Sequence, residues 1–156
     1  MLLHTLQRLH ARVGPDAKVV VFCVAPFVAG YYAEFFRSRH PDRAVFAIHS
    51  KVKQAARKKE LKRFASAAGG TLFAADVSPQ SLQLSDAAAV VQVGAPASRG
   101  AFERCLDVAS GGEGILLLHD FERELLEEFK DEHLEEVEAA AGQDVPVEVA
   151  PGGAGD

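Results

Sequence analysis

Five short apolar runs, nearly free of charge, alternate with stretches of helical periodicity, and that alternation limits the possible folds more than any other feature of the chain. The runs are KVVVFCV (18–24), AVFAI (44–48), GTLFAA (70–75), AAVVQV (88–93) and GILLL (114–118). Runs that are apolar throughout, rather than at every second residue, suit strands covered on both faces, as in a parallel sheet. Between them, residues 27–40 place Phe27, Tyr31, Phe35 and Val28, Tyr32, Phe36 at helical spacing, predicting a broad apolar face. Residues 52–68 do so more sparsely through Val52, Ala55, Ala56, Leu61 and Phe64, and residues 99–110 form a third helical stretch.

Strands and helices joined by connections of a few residues predict a doubly wound α/β domain over residues 1–119. The expectation is a mainly parallel sheet of about five to six strands with helices on both faces. Residues 120–141 read as an amphipathic acidic helix with Phe121, Leu125, Leu126, Phe129, Leu134 and Val137 inward, and residues 142–156 as an irregular tail.

The net charge of −5 hides an uneven distribution. Residues 51–64 hold Lys51, Lys53, Arg57, Lys58, Lys59, Lys62 and Arg63 against the one acid Glu60, whereas residues 120–138 are dominated by carboxylates. A basic stretch of this kind suits a polyanion, although a solvated helix face is the plainer reading for Lys58, Lys59 and Lys62. The acidic helix is read first as a solvated surface, with docking on a basic partner as the alternative.

Cys23 and Cys105 lack CxxC spacing and sit among apolar residues, as buried reduced thiols do, which predicts an intracellular setting. The cytoplasm, nucleus and mitochondrion are not distinguished. The six histidines show no metal-ligand spacing, so no metal is expected. No run approaches the length of a membrane span, so no membrane role is expected. The opening MLLHTLQRLHARVG is amphipathic, basic and free of acids; it reads as a plain first helix in preference to an organelle transit peptide.

Ligands of doubly wound sheets bind beyond the carboxyl ends of the strands. Those ends are CVAPF (23–27), IHSKVKQ (48–54), ADVSPQS (75–81) and VGAPASR (93–99). These residues, with KVVVFCVAPFVAGYYAEFF (18–36), HSKVKQAARKKELKRFASA (49–67) and TLFAADVSPQSLQLSDAAAVVQVGAP (71–96), carry a family likeness. The chain resembles the C-terminal RecA-like domain of DEAD-box ATP-dependent RNA helicases over about residues 2–118. The first block is similar to that family's motif IV. His49, Gln54, Arg57, Leu61 and Phe64 fit its HGxxxQxxRxxxLxxF block, and Asp76, Val77, Leu82, Asp86, Val90 and Pro96 fit motif V and the strand after it.

The departures from the pattern bear on function. Ala75 stands at the family's Thr, Pro79-Gln80-Ser81 replace its Ala-Arg-Gly turn, and Gln83 replaces an Asp that resembles a ribose partner. In ungapped register the three arginines of motif VI fall on Cys105, Val108 and Gly111, and a shift by one recovers only Arg104. An arginine finger is worth roughly a thousandfold to a hundred-thousandfold in phosphoryl-transfer rate. The chain has neither a GxxxxGK[ST] loop nor an Asp-Glu-Ala-Asp run.

The resemblance therefore implies RNA binding or remodelling, or ribonucleoprotein assembly, by a domain deficient in ATP hydrolysis. RNA would bind weakly through Lys51, Lys53, Gln54, Arg57 and Arg99, although an ordinary surface arginine is the plainer reading for Arg99, as for Arg104. Gln54 and Arg57 fit RNA contact or bracing of the first strand by hydrogen bonds about equally. Asp76, Gln80, Gln83 and Arg104 mark degenerate nucleotide-side positions, with Asp76 expected to cap the turn that follows it. No catalytic residue is assigned. ATP and Mg are expected only with a P-loop domain supplied elsewhere, and the partner would be such an N-terminal RecA-like domain, in cis or in trans. A protein-interaction scaffold without an RNA role is the alternative, and a working helicase whose catalysis lies in another half is a third.

Overall fold

The computed structural model describes residues 1–109, 111–122 and 124, so most of the expected acidic helix and the expected tail lie outside the described residues. The elements are α1 (Leu2–Val13), β1 (Lys18–Phe22), α2 (Pro26–Arg39), β2 (Val45–His49), α3 (Gln54–Ser66), β3 (Gly70–Ala75), β4 (Ala87–Val93), α4 (Arg99–Leu106) and β5 (Glu113–Leu117). Short 3-10 turns at Pro79–Leu82 and Asp107–Ala109 complete them.

The five strands form one parallel sheet in the order β2-β3-β1-β4-β5. Every residue of β1 and β3 is buried, as their unbroken apolar sequences require. One face packs Leu2, Leu6 and Leu9 of α1 and Ala29, Ala33 and Phe36 of α2 against Val19, Val21, Phe73 and Val91. The other packs Phe64 of α3, Leu82, Cys105, Val108 and Ala109 against Val20, Phe46, Leu72 and Val90. Helices thus cover both faces, and β1, flanked by β3 and β4, lies at the centre.

Two sequence expectations change. Helix α2 turns its small residues inward: Ala29 and Ala33 are fully buried, whereas Phe27 and Tyr31 are 78% and 65% exposed. Alanines let the helix axis approach the sheet closely; the expected stripe of Val28, Tyr32 and Phe36 does pack on the core, and of the other stripe Phe27 and Tyr31 are left in solvent. The last helical stretch is also shorter than expected, since α4 stops at Leu106 and a 3-10 turn carries Val108 and Ala109 into the core.

The opening segment is a helix packed on the sheet, with His10 buried and its Nε2 3.0 Å from Thr71 Oγ1. At the amino edge, buried Lys18 donates from Nζ to Ala65 O at 2.7 Å and to Asp86 Oδ2 at 2.6 Å. These bonds tie the start of β1 to the end of α3 and to the loop entering β4. No helix among the described residues is long and apolar enough to cross a membrane.

Candidate nucleic-acid interface

Parallel strands deliver all their outgoing loops to one edge. Here the loops leaving β2 and β3 are in direct register, because His49 pairs with Ala75 as the last residue of each strand. Ser50 and Asp76 follow at once, and Ser50 Oγ donates to Asp76 Oδ2 at 3.0 Å. This bond joins the basic loop to the loop of motif V. Asp76 sits at φ +51, in the left-handed region, where an Asp is tolerated better than most side chains.

Asp76 does not cap the following turn. Ser78 occupies the N-cap position of Pro79–Leu82 without a side-chain capping bond, and its hydroxyl donates to Gln80 Oε1 at 2.9 Å. Ser81 Oγ donates back to Ser78 O at 2.6 Å, and Gln83 closes the turn at φ +49. The loop is thus held by its own short polar side chains between two left-handed residues. Gln80 and Gln83 are exposed.

On the basic side, Lys51, Lys53 and Gln54 are all exposed, with Lys53 at the N-cap of α3 and Gln54 its first residue. Arg57 lies one turn further on and is half-buried, with Nε buried and without a hydrogen-bond partner. His49 Nδ1 is in the same condition. Among the described residues neither the Gln54 nor the Arg57 side chain hydrogen-bonds β1, the bond that the bracing alternative would use. Further along α3, Arg63 is committed to structure, bonding Glu60 at 2.8 Å and lying 5.7 Å from the Phe46 ring centre.

The remaining candidates lie on α4. Arg99 is exposed at its first turn and pairs with Glu103 at 2.9 Å, and Ser98 Oγ caps the helix by accepting from Ala101 N. Arg104 is exposed, whereas Cys105 and Val108 are buried in the second core, and Phe102 is buried as well. Burial pushes the Cys105 thiol up to about 11 and the Cys23 thiol to about 12. Both are protonated at neutral pH and unreactive as nucleophiles.

Two features of this edge carried no sequence signal. Gly94, at φ +84, ends β4 where a Cβ would lie 2.6 Å from Val24 Cγ1. Beside it, the Glu122 carboxylate accepts from Ala95 N at 3.1 Å and His119 N at 2.8 Å, and these backbone donors lower its pKa. The chain beyond β5 is thereby pinned across the end of β4. A cleft of about 250 Å³ lies away from these loops, at the amino edge, under His10, His40 and Arg43.

A five-stranded parallel sheet in this order, covered on both faces and with its site loops at the carboxyl edge, defines a RecA-like α/β domain. The chain belongs to the helicase conserved C-terminal domain family, whose model matches residues 1–110, and its DEAD-box likeness marks it as a second RecA-like domain. It is 31% identical over 134 residues to DEAD-box ATP-dependent RNA helicase 25 of Oryza sativa subsp. japonica, covering 83% of this chain and 22% of the relative. It is 34% identical over 134 residues to DEAD-box ATP-dependent RNA helicase 31 of Arabidopsis thaliana, covering 83% and 18%. The chain thus spans about a fifth of the length of the curated relatives it matches. Among solved structures, domain 2 of the DEAD-box helicase Mss116p bound to an RNA duplex superposes with a TM-score of 0.69 at 20% identity, over 81% of this chain and 53% of that one. The Escherichia coli DEAD-box protein SrmB, bound to a regulator of ribonuclease activity, superposes with a TM-score of 0.65 at 19% identity, over 80% and 75%.

Proposed function

We propose that this chain is the RNA-gripping RecA-like half of a DEAD-box-type RNA helicase, contributing RNA binding or remodelling within ribonucleoprotein assembly, and deficient in ATP hydrolysis as it stands. The observation that carries the reading is the Ser50–Asp76 bond, which holds the motif V loop against the loop bearing Lys51 and Lys53. Arg57, at the start of the next helix, adds a third cation with an unpaired buried Nε. Lysines and an arginine carried on one loop and the helix start after it, at a sheet edge, suit a run of phosphates.

The nucleotide side does not fit ATP in the same way. Cys105 and Val108, at the register of two family arginines, are turned into the core, and neither carries a charge that could meet a γ-phosphate. Gly111, at the third, has no side chain. Any ATP and Mg would be held chiefly by an N-terminal RecA-like domain in cis or in trans, against which this half would close over RNA.

Titration with single-stranded RNA at two salt concentrations tests the reading. Each phosphate neutralised contributes roughly 0.7 to the salt slope for a single strand. Charge reversal of Lys51 and Arg57 together is expected to reduce that slope by about 1 to 1.5 and to weaken binding, with no ATP turnover by the isolated chain. Absence of binding at low salt removes RNA and leaves the protein-interaction scaffold. Measurable turnover refutes the ATPase deficiency.

A further inference from the structure

Helix α2 exposes aromatic surface at Phe27 and Tyr31, while Phe35, the next ring along, is half-buried and packed partly on the core. Phe27 and Tyr31 are the two most exposed rings on it, one turn apart. The Tyr31 ring continues to Phe35, with centroids 6.2 Å apart and planes at 20°, and the Arg39 guanidinium lies 5.4 Å from the Phe35 ring centre. Positions 27, 31, 35 and 39 are successive i,i+4 neighbours, each step drifting about 40° around the helix, over about 18 Å at 1.5 Å per residue. Isolated exposed apolar residues are ordinary, but two exposed rings one turn apart, with a third ring and a cation beyond them, are a surface for a flat, electron-rich ligand.

The surroundings say which ligand. Gly30, between Phe27 and Tyr31, packs beside His49, whose Nε2 would lie 3.7 Å from a Cβ at that position. His49 leads directly into Ser50, Lys51 and Lys53, so the aromatic row begins next to the basic loop and ends at Arg39. The carboxylate within the row's span, Glu34, is bonded to Arg37. Rings bordered by cations at both ends match a single-stranded nucleic acid, which offers phosphates to the cations and bases to the rings. An apolar peptide would find no use for the flanking charge.

We propose that Phe27 and Tyr31, with Phe35 backing the Tyr31 ring and Lys51 and Arg39 flanking them, form a base-stacking row for single-stranded RNA. The inference rests on the RNA reading above and adds to it a contact with the bases, where the basic loop alone would grip only phosphates. Stacking on one aromatic side chain is worth about fivefold to a hundredfold in affinity per base and tolerates any sequence.

The test compares binding of the full chain to a fluorescent oligouridine and to an abasic oligomer of equal length at fixed salt. Phe27→Ala and Tyr31→Ala are each expected to weaken the oligouridine about fivefold or more, to leave the abasic oligomer unchanged, and to keep the salt slope. Tyr31→Phe should restore binding. Both positions are in solvent, and unchanged thermal melting will show that the variants fold. Unaltered oligouridine binding by both alanine variants overturns the stacking row while leaving the phosphate reading intact, whereas a wild-type chain that binds neither oligomer overturns both. A wild-type chain that self-associates, with alanine variants that are monomeric and bind RNA unchanged, makes the row a contact between copies of this chain and likewise overturns the proposal.

Discussion

Ser50 Oγ and Asp76 Oδ2 stand 3.0 Å apart although 26 residues separate them in the chain, because the strands before them end in register at His49 and Ala75. The bond is exposed, so its net contribution to stability is small, at about 1 kcal/mol or less. Its larger effect is on the position of the loop carrying Lys51. Ser50→Ala and Asp76→Ala are each expected to weaken RNA binding about threefold to tenfold with little change in melting temperature. The double variant should be no worse than either single one, since both remove the same bond. Affinities of the four proteins form the cycle, and additive losses would show that the two residues act separately.

Lys18 and Asp86 make a second long-range pair with a different balance. The Lys18 side chain is only 6% exposed, while Asp86 is 58% exposed. Removing the carboxylate leaves a buried ammonium held by Ala65 O, so Asp86→Ala is expected to cost about 2 kcal/mol, below the 3 to 5 typical of fully buried pairs because water reaches one partner. Lys18→Met removes the charge along with its need for a partner and should cost less than Asp86→Ala. Urea midpoints at equal m-value give the comparison.

His10 makes stability depend on pH. Burial, reinforced by Arg43, holds its pKa below the ordinary value of 6.5. The folded protein therefore keeps the ring neutral at a pH where the unfolded chain takes up a proton, and the unfolded state binds more protons in that interval. Stability is fully present above pH 6.5 and falls as pH drops below that value toward the folded pKa. Melting temperatures between pH 7.5 and 5.5 should decline for the wild type, and the His10→Gln variant should show a smaller slope.

The strands were legible because double burial in a parallel sheet demands runs without charge, and all five runs became strands with ends shifted by at most two residues. Helix α2 was legible as a helix but not in its orientation. The stripe of Val28, Tyr32 and Phe36 was read correctly as apolar, but nothing in the periodicity told that Ala29 and Ala33 would go fully inward and leave Phe27 and Tyr31 outside, which the closeness of helix to sheet decides. The site divides in the same manner. Lys51, Lys53 and Arg57 could be read from local spacing, whereas Ser50, Lys18 and Glu122 owe their partners to strand register and chain return, which no local pattern encodes.

The motif VI register offers the sharpest energetic test, because the positions that would have to carry arginine belong to the core. Cys105 and Val108 pack with Phe22, Leu72 and Leu82, and the Cys105 thiol is raised by burial alone before any effect of Arg104. A guanidinium introduced there would have to leave water without a carboxylate waiting for it, at a cost of several kcal/mol, a large share of a small domain's total stability. Cys105→Arg and Val108→Arg are therefore expected to unfold the chain or lower its melting temperature by more than about 10 °C, and not to restore ATP turnover even when a P-loop domain is supplied. Cys105→Val, which keeps the apolar character and adds only about one methyl group, should cost about 1 to 2 kcal/mol and leave the chain folded. Calorimetry of the three variants decides the matter: well-folded arginine variants would mean that these side chains can swing out of the core toward the nucleotide side, and that the degeneracy of the motif is one of sequence and not of packing.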